Sequence, residues 1–230
     1  MSIDAEMPAD LRNLVEGVLL TLAALLPIVN PFGGAPVFLA MTADCTRELR
    51  ATLAQKIAIN AFILLLASLF VGTYVLEFFG LSVPIVQVAG GIVVCANGWT
   101  LLRADTVPRI VPSSTPAASE IANRAFYPLT LPLTVGPGTI SIAITIGAHH
   151  PQSVRLALVN GLADAIGAAL IALIVYGCYR YADRMLRVLG ETGTNVFMRL
   201  SAFILLCIGV QIFWTGASVL LATVPSGGWR

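Results

Sequence analysis

The sequence predicts an all-α, polytopic membrane protein: six transmembrane helices forming two inverted three-helix repeats, with the first and fourth helices discontinuous. Three observations predict it. The 230 residues are 57% hydrophobic and only 11% charged, against roughly 25% charged in soluble domains. Two Pro/Gly-rich breaks, Leu26-Pro27-Ile28-Val29-Asn30-Pro31-Phe32-Gly33-Gly34-Ala35-Pro36 and Leu131-Pro132-Leu133-Thr134-Val135-Gly136-Pro137-Gly138-Thr139-Ile140, fall inside apolar segments, one in each half. Ten of the 13 Lys and Arg residues cluster after the first, third and fifth apolar segments.

A spanning helix needs about 20 mainly apolar residues. Six segments meet that need. Leu14–Met41 is broken at Asn30-Pro31, because proline has no amide donor and biases the residue before it away from the helical region. Leu53–Phe79 and Val83–Leu102 follow, separated by a turn at Gly80. Ile121–Ala148 is broken at Gly136-Pro137. Val154–Tyr179 and Val196–Ala222 complete the set, with a turn at Gly190 between them. The acidic start, Met1-Ser2-Ile3-Asp4-Ala5-Glu6, lacks the basic region of a cleaved signal peptide, so the first apolar segment is expected to be retained. Trp99, Trp214 and Trp229 stand near span ends, where interfacial anchors belong.

The segments recur in order. Pro31 is matched by Pro137, Gly80 by Gly190, and Val86–Cys95 by Met198–Cys207. The predicted organisation is a first repeat over 1–102, a Pro/Ser/Thr-rich linker over 103–120 and a second repeat over 121–230, all one membrane domain. Three spans per repeat is odd, so the second repeat enters the membrane from the opposite face. Such repeats put a ligand site near the midplane, between the broken helices. Positive residues favour the cytoplasm. Arg47, Arg50 and Lys56, then Arg103, Arg109 and Arg124, then Arg180, Arg184, Arg187 and Arg199 would lie there, with the linker. Both termini would lie outside, with Arg12, Arg155 and Arg230.

The breaks carry the chemistry. Unwinding leaves carbonyls at the end of one half-helix and amides at the start of the next, which attract cations and anions respectively. A zwitterion presents both charges close together. The expected ligand-binding residues are Asn30, Gly33 and Gly34 in the first break and Gly136, Gly138 and Thr139 in the second, with Ser141 and Thr145 further along. A kink used only for packing is the plainer reading of one break; two matched breaks favour a site. Asp164, with Asn160 one turn earlier, is the other candidate. An ionisable group at this depth is costly and usually functional, so it is a potential coupling group or polar partner, with a sodium ion or a proton as the coupling ion. A later helix start or a wet vestibule would explain it as well. Asn60, Gln87, Asn97 and Gln211 are explained equally well by interhelical hydrogen bonds.

Other functions find no support. Net charge is +1, so nucleic acid is not an expected partner; the lipid bilayer and a small neutral solute are. Cys45, Cys95, Cys178 and Cys207 have no metal or redox spacing. His149 and His150 lack a third ligand. No phosphate-binding glycine loop or zinc-protease helix occurs, and nothing brings a serine to a base. No cofactor and no enzyme activity are expected.

These residues resemble the MarC family of bacterial inner-membrane proteins, which overlaps with proteins described as small neutral amino-acid transporters. The resemblance rests on Leu26-Pro27, Asn30-Pro31 with Gly33, Pro36-Val37-Phe38-Leu39, Ala89-Gly90-Gly91-Ile92, Phe126-Tyr127-Pro128-Leu129 with Pro132, Gly136-Pro137-Gly138-Thr139-Ile140, and Met198 to Trp214 with Gln211. It covers nearly the whole chain. It implies six spans in two inverted repeats whose broken helices meet near the middle. It also implies cation-coupled movement of glycine, alanine or similar solutes across the bacterial inner membrane. The chain departs from the family at Asp164 and at Gly34-Ala35. A non-transporting assembly or stress-linked partner, or an exporter of small solutes, is the alternative.

Overall fold

A computed structural model of the protein describes residues 8–43, 45–103, 123–149 and 153–223. The described residues are helical throughout, in chain order α1 (Ala9–Val29), α2 (Pro31–Met41), α3 (Arg47–Phe78), α4 (Val83–Arg103), a wide-wound α5 (Ala125–Thr134), α6 (Pro137–Ala148), α7 (Val154–Arg180) and α8 (Ala182–Ala222). Five helical stretches are long and apolar enough to cross a membrane, α1 and α2 together counting as one. The pair α5 and α6, bent by 68° at its break, makes a sixth if taken as one span. The expected linker lies outside the described residues apart from Arg103, as do His150, Trp229 and both chain ends.

The elements begin and end where their residues require. Thr46 caps α3 by accepting from the Leu49 amide (3.3 Å), with Glu48 in the first turn. The helix starts six residues before the expected Leu53, because capping and a polar first turn extend it out of the apolar run. The expected turn at Gly190 is present: its φ of +66°, which an L-residue rarely adopts, breaks α8 into a short helix from Ala182 and the span Thr192–Ala222, which starts four residues before the expected Val196. Gly80 has the same φ at the α3–α4 corner.

Contacts run between the halves. α1 packs on α7, α3 on α5, α6 and α7, and α4 on α6 and α8. The α4–α8 pair is antiparallel and glycine-lined. A Cβ on Gly91 would lie 2.4 Å from the Phe213 amide nitrogen, one on Gly209 2.6 Å from that of Cys95, and one on Gly216 2.5 Å from the Pro84 carbonyl oxygen. Small residues let backbones approach where lipid supplies no hydrophobic drive. The central core joins Leu25, Phe38, Ile57, Leu65, Ile171 and Tyr179. Outward faces carry exposed apolar side chains such as Leu20, Tyr74, Phe78 and Leu158, as a hydrocarbon solvent permits.

Candidate functional site

The first break is built around one residue. Asn30 has φ +44°, ψ +56°, the only positive φ outside glycine among the described residues. Asparagine tolerates this region better than most L-residues. Asn30 ends α1 with its amide on the Leu26 carbonyl (2.9 Å) and starts α2 with its Oδ1 accepting from the Gly33 amide (3.1 Å). Its own carbonyl accepts from the Gly34 amide (2.9 Å). The Pro27 carbonyl thereby lacks its usual donor four residues on, since Pro31 has no N–H, and the Gly33 amide that would serve Val29 is turned to Asn30.

The second break is wound differently. Within Pro128-Leu129-Thr130-Leu131-Pro132-Leu133-Thr134 the motif Pro-Leu-Thr occurs twice. Prolines 128 and 132 cannot donate to the turn before them, and two threonine hydroxyls add bonds to the backbone: Thr130 Oγ1 donates to Ala125 O (2.6 Å) and Thr134 Oγ1 to Leu129 O (2.7 Å). Val135 is extended, Gly136 begins α6 without a side-chain cap, and Pro137 occupies the first helical turn. The amides of Gly138 and Thr139 therefore start a 12-residue helix with no side chain over them.

Between the two breaks lies a cavity of about 300 Å³. All six expected binding residues, Asn30, Gly33, Gly34, Gly136, Gly138 and Thr139, line it. Three further polar residues line it too: Asn97, for which the sequence left an interhelical hydrogen bond as an equal reading, Thr134 of the second break, and Thr100, which the sequence did not single out. Asn97 reaches it from α4, near Gly136. Among the described residues, the wall contains no Asp, Glu, Lys, Arg or His. Val37 and Met41 of α2 and Leu101 of α4 extend it toward the ends of those helices that adjoin the basic segments.

The glycines of the wall also serve packing. A Cβ on Gly33 would meet Asn30 Nδ2 at 2.4 Å, one on Gly34 would meet the Tyr179 hydroxyl at 2.7 Å, and one on Gly138 would meet Val94 Cγ2 at 2.0 Å. Their lack of side chains seats the neighbours that shape the cavity.

Asp164 and Asn160 are not part of this wall. Asp164 is buried (4% exposed) where α7 faces α1, and accepts from Thr21 Oγ1 at 2.5 Å. Gly17 and Gly167 admit that close approach: a Cβ on either would fall 2.7 Å from Ala163 Cβ or Thr21 Cγ2. Asn160 is half-buried one turn away. Ser141 ties α6 to α4 by donating to Val86 O (2.8 Å), and Gln87 Nε2 reaches Thr145 Oγ1 (3.4 Å). Gln211 instead bonds within its own helix, to Thr215 (3.5 Å). His149 ends α6 with Nδ1 on the Thr145 carbonyl (2.6 Å). Among the described residues, no three His, Cys, Asp or Glu side chains gather closely enough to hold a metal ion.

Over residues 15–221 the chain matches a family described as "MarC family integral membrane protein". It is 30% identical over 224 residues to the UPF0056 inner membrane protein MarC of Salmonella paratyphi A, covering 93% of this chain and 99% of that one. The same figures hold for the protein of that name from Salmonella typhimurium. The Escherichia coli O1:K1 / APEC protein of that name is 29% identical over 217 residues, covering 92% of this chain and 98% of its own length. No solved structure matches the chain.

Proposed function

The chain belongs to the MarC family of integral membrane proteins, and on that premise we propose that it is a secondary transporter of a small neutral solute, of the size and charge of glycine or alanine. The observation that carries the proposal is the cavity between the two breaks, whose mainly apolar wall holds a few polar groups and, among the described residues, no charged side chain. A net charge would be costly there, since burying an unpaired ion is far more expensive than burying a polar group that finds hydrogen bonds. A zwitterion has no net charge, and helix ends can meet both of its poles. Its carboxylate suits the Gly138 and Thr139 amides, which no side chain caps, rather than that of Gly33, which Asn30 already takes. Its ammonium suits the C-terminal end of α1, where the Pro27 carbonyl lacks its helical donor. Asn30 and Asn97 would supply neutral donors and acceptors from opposite walls.

Alternating access follows from the proposed architecture of six spans in two inverted repeats. The pattern of helix contacts supports it, because most of it maps onto itself when the halves are exchanged. The α1–α7 and α2–α7 pairs answer the packing of α5 and α6 on α3, the α2–α8 pair answers α6–α4, and α3–α7 and α4–α8 are each their own counterpart. In this reading Arg50 and Asp183, paired at 3.0 Å, lie on the cytoplasmic side, and the Asp10–Arg155 pair lies outside with the termini. The protein is placed in the bacterial inner membrane, as its relatives are named. Asp164 is proposed as a coupling group acting on α1 from behind the cavity, with a proton or sodium ion as its partner.

The test is a thermal-stability screen of purified protein against amino acids, other small zwitterions and sugars, with and without sodium. Binding to the folded state raises the apparent melting temperature by mass action. A shift confined to glycine, alanine and serine supports the proposal. The absence of a shift with any of them up to tens of millimolar opposes it.

A further inference from the structure

We propose that Tyr179 is a positioning residue that pins α2 against α7 and so keeps the cavity from collapsing; the proposal rests on reading the cavity as a carrier's solute site. Three contacts meet at this one side chain. The ring lies flat on Phe38 of α2, with centroids 4.7 Å apart and planes 7° from parallel. Its hydroxyl sits against Gly34, where a Cβ would approach within 2.7 Å. The same hydroxyl lies 3.0 Å from Thr134 Oγ1 in the second break. The direction of that bond follows from the inventory of protons. Thr134 spends its only hydroxyl proton on the Leu129 carbonyl at 2.7 Å, so Tyr179 is the donor.

Tyr179 is 2% exposed and is not part of the cavity wall. It stands behind that wall, and α2 is the plate between. Gly33, Val37 and Met41, spaced at one helical turn, present one face of α2 to the cavity. Gly34, which also borders the cavity, and Phe38, one turn on, present the adjoining face to Tyr179. While α2 stays on the phenol, the space between it and the second break remains open. If α2 leaves the phenol and swings inward, Val37 and Met41 move into that space. The Tyr179–Thr134 bond lies within the second half of the chain, whereas the contacts to Gly34 and Phe38 cross between halves. The phenol therefore joins α2 of one half to the second break of the other. Gly34 and Phe38 are the seat, since any side chain at 34 would displace the hydroxyl.

The experiment reads cavity access without needing the solute. Thr100→Cys, on the cavity wall, is introduced into a chain whose Cys45, Cys95, Cys178 and Cys207 are replaced by serine. Its labelling by a membrane-impermeant maleimide is followed in reconstituted vesicles of both orientations. Tyr179→Phe keeps the stack and removes only the hydroxyl; it should slow labelling by about threefold to tenfold, the weight of one neutral hydrogen bond. Thr134→Val, which also gives up the bond to the Leu129 carbonyl, should slow it at least as much, and adding Tyr179→Phe to Thr134→Val should slow it no further, because the shared bond is already gone. Tyr179→Leu, which also loses the stack, should slow it more, and Tyr179→Trp should restore part of the loss. Unchanged labelling in Tyr179→Phe and Tyr179→Leu proteins that remain monodisperse would overturn the proposal, as would independent, multiplicative effects of Tyr179→Phe and Thr134→Val. Slowed labelling with no amino-acid binding in the parent protein would leave the pinned cavity standing and remove the carrier reading on which its purpose rests.

Discussion

At the scale of single residues, Asn30 combines two requirements that separate substitutions can pull apart. Its left-handed backbone joins α1 to α2, and its side chain caps the Gly33 amide. Asn30→Gly tolerates the backbone and loses the cap, a change that costs only a few tenths of a kcal/mol where glycine replaces a cap. Asn30→Ala loses the cap and meets a left-handed penalty of roughly 1–2 kcal/mol as well. Thermal melting should therefore rank wild type, then Asn30→Gly, then Asn30→Ala; equal losses in both variants would show that the backbone conformation is not what asparagine provides. Gly138 makes a paired prediction. Gly138→Ala drives a methyl into Val94, so it should lower stability, and Val94→Ala should recover much of the loss in the double variant. A simple fall to the sum of the two single losses would contradict that geometry. Asn97→Ala should weaken glycine or alanine binding about tenfold, at the strong end of what one uncharged hydrogen bond contributes, while leaving the melting temperature near that of wild type.

At the scale of elements, both breaks were legible in the sequence because proline and glycine announce themselves without any knowledge of neighbours. Asn30, Gly33, Gly34, Gly136, Gly138 and Thr139 could be named for that reason, and the structure gathers them on one cavity. Asn97, Thr134 and Tyr179 were not legible as parts of that arrangement. Asn97 sits in an unbroken helix, and nothing local separates an asparagine facing a cavity from one bonding to a neighbouring helix. Thr134 takes on its meaning from two prolines that cannot donate to the turn before them, and Tyr179 from a glycine far away in the chain. The start of α3 was misplaced for a related reason: hydrophobicity marks its membrane-buried part, whereas the Thr46 cap and a polar first turn carry the helix past it. The glycines of α4 and α8 yield a prediction at this scale. Gly91→Val places atoms where the Phe213 backbone already lies, so it should separate α4 from α8 and lower the melting temperature sharply; a tolerated valine would mean that the two helices do not approach so closely in the bilayer.

At the scale of the whole molecule, the central claim is that two breaks, one in each half, form one solute site. The uncharged, mainly apolar wall with its few polar groups, the uncapped start of α6 and the freed carbonyl at the end of α1 all bear on it. The proposed two-repeat architecture would give such a site a route to face each side of the membrane in turn. The most direct measurement is counterflow of radiolabelled glycine and alanine in proteoliposomes, comparing wild type with Asn97→Ala. Accumulation of label driven only by internal unlabelled glycine or alanine, and strongly reduced in Asn97→Ala, is the predicted result. Wild-type vesicles that take up no more label than protein-free ones, with the protein folded and inserted, would contradict the account.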